Sequence, residues 1–159
     1  MGIWTITGGK LWNGTAFTEN PGLSRELAGE ADRKLTLEPE DLILPGVIDS
    51  HVHLWAPPSI SRFGMDAERL YAQGVVGAVE PGSFGCRNWA QASCYWTNAE
   101  KLRIKSFMHV LPDGFAVFPP TNVSRPEEID ENEVAAAIQA DTTDTLLGVK
   151  IHLGFLYYK

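Results

Sequence analysis

The sequence predicts an α/β fold: a parallel sheet of about four strands built from strand–helix units, preceded by a small β region. Three observations predict it. Four short apolar runs follow Pro45-Gly46, each ending in glycine, proline or polar residues. Stretches with helical character separate these runs. Before Pro45 that pattern is absent, and turn dipeptides and alternating residues take its place. Strands alternating with helices argue for βαβ units.

Residues 1–44 read as small β structure. Gly8-Gly9 and Asn13-Gly14 are turn signals, and the second is flanked by Lys10-Leu11-Trp12 and Thr15-Ala16-Phe17 as a hairpin. Glu19 to Asp32 is polar, contains Pro21-Gly22 and reads as loop. Lys34 to Glu38 alternates polar and apolar, as a half-buried strand does. Residues 45–159 form the second region. Its strand candidates are Val47–His53, Gly74–Glu80, Ile104–Val110 and Leu146–Leu153. Between them, Asp66 to Gln73 reads as a helix stopped by Gly74. Asn88 to Leu102 sets Trp89, Ala92, Trp96 and Ala99 on roughly one face. Asp130 with Glu133 fits a capping box ahead of Val134, Ala137 and Ile138. The proline-rich stretch 112–128 reads as a long loop.

Composition bounds the function. The chain has 159 residues, 44% hydrophobic and 21% charged, enough for a core and too apolar for general disorder. No apolar run approaches the ~18 residues of a membrane helix. The first residues lack the basic and apolar regions of a signal peptide. A net charge of −7 opposes nucleic acid or an anionic membrane as partner. Two cysteines, Cys86 and Cys94, make no disulfide framework and no CxxC zinc site. The expectation is an intracellular, cytoplasmic chain.

The strongest chemical signal is Asp49-Ser50-His51-Val52-His53. Strand side chains at i and i+2 share a face, so His51 and His53 would project together, with Asp49 behind them. Two imidazoles so placed ligate one divalent ion: zinc, iron, nickel or manganese. Read alone, such a pair is more often two ordinary histidines near a strand end; its place after a Pro-Gly turn, at the end of the first strand, favours the metal. The second signal is Gly148-Val149-Lys150-Ile151-His152. A lysine within an apolar strand is expensive unless paired or neutral. A neutral amine takes up carbon dioxide as a carbamate, which can bridge metals. The other reading is a lysine pointing outward, and spacing does not separate the two. His152 reads as a neighbour of Lys150. Trp89, Tyr95 and Trp96 read as core. The backbone of Pro81 to Cys86 could bind an anion, but the P-loop lysine is missing. Cys86 reads as a small buried residue. No Gly-x-Ser-x-Gly elbow is present.

Leu44 to His53 resembles the first barrel strand of the amidohydrolase superfamily, in its dihydroorotase or deacetylase branch. Gly74 to Ser83 resembles the second strand, and Gly148-Val149-Lys150 the fourth strand of binuclear members. The region before residue 45 resembles the family's β-sandwich portion. The resemblance implies a partial (β/α)8 TIM-type barrel, about its first four strands. It implies His51, His53 and Lys150 as metal ligands, with Lys150 carbamylated between one or two ions, zinc first among them. It implies hydrolysis of an amide, cyclic amide or ester in a small-molecule substrate by metal-activated hydroxide. No catalytic residue is assigned, Asp49 included.

A complete (β/α)8 barrel takes about 250 residues. Four strands are legible after Pro45. The resemblance places two further histidine ligands and a proton-shuttling aspartate on strands this chain lacks. The expectation is therefore the N-terminal half of an enzyme, inactive alone. The alternatives are a barrel completed by a second chain or a homo-oligomer, and a non-catalytic remnant or assembly module.

Overall fold

The computed structural model describes residues 2–57, 59, 64–99, 101–115 and 126–152. Two compact units divide the chain, Met1–Pro45 and Gly46–Lys159.

The first unit holds six short strands: β1 (Gly2–Thr7), β2 (Lys10–Trp12), β3 (Phe17–Glu19), β4 (Leu23–Leu27), β5 (Arg33–Thr36) and β6 (Leu42–Ile43). They form two three-stranded sheets, β4-β1-β5 and β3-β2-β6. The hairpin at Asn13-Gly14 is present, but its second strand starts at Phe17. Asn13 explains the shift: its side-chain oxygen accepts from the backbone of Thr15 and Ala16, which holds both in the turn. Glu19 to Asp32 is not all loop. Leu23 and Leu27 bracket β4, which pairs antiparallel with β1. The polar Ser24-Arg25-Glu26 between them hid it, because an edge strand need bury little. The strand expected at Lys34–Glu38 runs over Arg33–Thr36, and it is exposed along its length. Arg33 lies over the Trp4 ring at 4.7 Å, a contact alternation does not announce.

The second unit alternates strand and helix: β7 (Val47–Asp49), α1 (Ala67–Ala72), β8 (Val75–Glu80), α2 (Trp89–Thr97), β9 (Arg103–His109), α3 (Glu131–Ala140) and β10 (Leu146–Lys150). The four strands are parallel and lie in the order β10-β9-β8-β7. Each strand thus neighbours its predecessor in sequence, with no reversal. Doubly wound sheets reverse at a switch point; barrels do not. The unit is a sector of a (β/α) barrel.

Caps and packing fix the helices. Asp66 accepts from the Glu68 backbone, and Asp130 from Asn132 and Glu133. The capping box is answered from one side, for the Glu133 carboxylate pairs with Arg87 at 3.2 Å. Gly74 follows α1 at φ +85°, the left-handed stop glycine supplies cheaply. Trp89, Ala92 and Trp96 are buried against Phe84, Ile104, Met108 and Ala78. Ala99 lies beyond the end of α2, and Tyr95 is 42% exposed rather than core. The Trp89 indole N–H donates to Asp141 at 3.2 Å, fastening α2 to the segment after α3. Most of the expected 112–128 loop lies outside the described residues; Pro126–Glu128 forms a single 3-10 turn. No helix among the described residues is long and apolar enough to cross a membrane.

Candidate metal centre

Parallel strands deliver their last residues to one edge of the sheet. Asp49 ends β7, Glu80 ends β8, His109 ends β9 and Lys150 ends β10. This C-terminal edge is where barrel enzymes place their chemistry.

The strand bearing the His-x-His pair is shorter than the sequence suggests. β7 stops at Asp49, so His51 and His53 lie past it and strand alternation does not orient them. Asp49 is the reason: its carboxylate accepts the His51 backbone N–H at 3.0 Å and turns the chain. The Val52 N–H then donates to Val79 O at 3.1 Å, tying the segment to β8. The two imidazoles meet edge to face, with ring centres 5.8 Å apart. A nitrogen bound at about 2.1 Å puts each ring centre roughly 3.2 Å from an ion, so two rings on one ion stand at most about 6.4 Å apart. The observed separation lies within that limit.

His53 is held by a buried carboxylate that the sequence reading did not single out. Its Nδ1 lies 2.7 Å from Ser83 Oγ and 3.3 Å from Glu80 Oε1. Glu80 is fully buried. It accepts from the backbone N–H of Gly82 at 2.9 Å and Ser83 at 3.0 Å, and from the Ser106 hydroxyl at 3.1 Å. The Ser83 hydroxyl also donates to it. That direction leaves Ser83 Oγ as acceptor for a proton on His53 Nδ1. The tautomer follows, and the coordinating atom would be Nε2. The Gly82 and Ser83 N–H groups of the Pro81–Cys86 loop, which could have bound an anion, are instead taken by the chain's own Glu80 carboxylate. A signal was there: an acid ending an apolar strand, followed by Gly-Ser, is a buried charge provided with donors.

Lys150 is the last residue of β10 and half-buried, not interior to a longer strand. It lies opposite His109 in the register. Its stem packs against Gly82, where an added Cβ would stand 2.5 Å from Lys150 Cβ. Ser83, next in the chain, reaches His53, so one short loop touches both expected ligands. The Phe115 ring stands edge-on to His53, His109 and His152, with centres 6.1, 4.7 and 5.6 Å away. Burial lowers the pKa of His109 to about 4, with further lowering from the Lys150 and His152 charges. Among the described residues, no three His, Cys, Asp or Glu side chains gather as a metal site. His51 and His53 are only two residues of those types, and Lys150 is of another type. Cys86 does not gain reactivity: burial and then Glu133 push its thiol pKa up.

No protein-family model matches the sequence, and no curated protein matches it either. Solved structures do match. A crystal structure of an adenine deaminase superposes with a TM-score of 0.68 at 19% identity, covering 93% of this chain and 40% of the other. A dihydroorotase structure gives 0.66 at 19% identity, covering 91% and 40%. Both enzymes are members of the amidohydrolase superfamily. The fold of this chain is theirs. It spans about 40% of either length.

Proposed function

We infer that this chain carries the first half of the metal centre of an amidohydrolase-type hydrolase. The observation that supports it is the fixing of His53 Nδ1 by Ser83 and the buried Glu80, at the end of the sheet where His51 and Lys150 also lie. A histidine held in one tautomer by a buried carboxylate is built as a ligand. His51 and His53 bind a divalent ion, zinc first among the candidates, and Lys150 completes the set as a carbamate. Such an ion supplies hydroxide near neutral pH and polarises a carbonyl. Asp49 holds the turn that presents His51. The substrate is a small molecule with an amide, cyclic amide or ester bond, cleaved in the complete assembly. Residues 1–44 form a β-sandwich-like portion, residues 45–159 the barrel sector, and the protein works in the cytoplasm.

Zinc content after equilibration and gel filtration tests this reading. The chain retains zinc, and a variant with His51→Asn and His53→Asn loses it. Equal zinc in both proteins would overturn the assignment. A second reading, an assembly module whose barrel another chain completes, is supported by the outer strands. Val47, Ile48, Leu147 and Val149 are 58%, 67%, 52% and 48% exposed. Native mass spectrometry separates a monomer from a complex.

A further inference from the structure

His109 is 1% exposed. Its Nδ1 accepts the Leu111 backbone N–H at 3.0 Å. Only an unprotonated nitrogen accepts, so the ring is neutral and its proton sits on Nε2. That N–H is buried and meets no acceptor among the described residues. Buried donors without acceptors are rare because each lacks the hydrogen bond that water gave it. The arrangement is complete only when an oxygen stands against Nε2.

The surroundings narrow the source of that oxygen. The atom is shielded from solvent, so a freely diffusing ligand does not meet it without rearrangement. That leaves a trapped water or a group carried by a neighbouring side chain as the acceptor. Lys150 lies directly opposite on the adjacent strand, and its charge is felt at the ring. Side chains directly opposite on paired strands lie on the same face of the sheet. Gly82 packs closely against the lysine stem, an added Cβ there standing 2.5 Å from Lys150 Cβ and 2.8 Å from Lys150 Cγ.

We propose that the His109 Nε2–H is the donor that holds a carbamate on Lys150. This rests on the reading of Lys150 as a carbamate and adds the group that retains it. The Lys150 ammonium first gives one proton to solvent; the Nζ lone pair so freed bonds to the carbon of carbon dioxide, one C=O electron pair moves to oxygen, and a second N–H proton leaves to solvent. The charge at position 150 changes from positive to negative. A neighbour that repels a proton on His109 becomes one that accepts its hydrogen bond. His109 is a positioning residue, acting through Lys150.

The test is NMR on the full chain with zinc and 13C-labelled bicarbonate. The wild type shows a carbamate carbon that Lys150→Ala lacks, and the His109 Nε2 proton moves downfield as bicarbonate is added. His109→Leu needs on the order of tenfold more bicarbonate for equal occupancy. His109→Gln, which keeps an N–H, recovers part of the loss. No carbamate in the wild type, or equal occupancy in His109→Leu, overturns the proposal. So does an Nε2 signal indifferent to bicarbonate and to Lys150→Ala, which makes a trapped water the acceptor. If His109→Leu does not fold, the wild-type Nε2 signal decides alone. Zinc content is read separately. Zinc lost with His51 and His53 but no carbamate sinks this proposal and leaves the metal reading standing; zinc indifferent to those histidines sinks the metal reading itself.

Discussion

Strands β8 and β9 have a neighbour on each side, whereas β7 and β10 have one each among the described residues. The inner pair contributes Glu80, Ser106 and His109, all essentially buried. The outer pair leads to His51 and Lys150, which stay exposed or half-buried. Support and proposed ligation are thus divided. Groups that orient others sit where low polarity strengthens each hydrogen bond. Groups that would meet an ion or a substrate sit where solvent reaches.

Removing the centre of the support should cost most. Glu80→Ala strands two backbone N–H groups and two serine hydroxyls, and should lose about 3–5 kcal/mol in denaturant unfolding. A loss below about 1 kcal/mol would mean that the clamp does not need its carboxylate. Packing should show the same contrast. Met108→Ala on the inner strand should cost about 3 kcal/mol, and Val149→Ala on the outer strand less than about 1 kcal/mol. Equal costs would erase the distinction between the strand pairs.

Acid provides a third probe. The folded-state pKa of His109 lies near 4, below its ordinary value of 6.5. Between these values the unfolded chain binds the proton and the folded chain does not. Stability should therefore fall as pH drops from about 6.5 to about 4, by about 3 kcal/mol, and level off below. His109→Gln should flatten that window. An unchanged slope in the variant would assign the acid sensitivity elsewhere. A smaller effect is expected at the joint between support and ligand. Ser83→Ala should leave the fold intact and weaken zinc about tenfold, read by competition with a chelator. Unaltered affinity would disconnect Glu80 from the metal site.

The four parallel strands and three helices were legible because each carries a local signal: an apolar run, a capping aspartate, a stop glycine. β4 was not, since Leu23 and Leu27 are its only apolar marks and its stability comes from β1, distant in sequence. His51, His53 and Lys150 stand out in the sequence, and the structure brings them to one end of the sheet. Their orientation was illegible. Alternation was applied to a strand that Asp49 ends early. Glu80 and Ser83 escaped notice as a clamp because their partners come from three segments: the strand end, the loop after it, and β9. A sequence shows a ligand by its type, but shows a support only through neighbours that folding supplies.

Gly82 carries a consequence of another kind. It is a gauge. The space a methyl group would fill there is taken by the Lys150 stem, so the gap between the β8 loop and β10 is one side chain wide. Enlarging residue 82 would not merely crowd a lysine. It would wedge the outermost strand away from the histidines and widen the mouth of the site by roughly the breadth of the intruding group. Separation between Lys150 and the β8 loop that reaches His53 is therefore written in a residue that has no side chain.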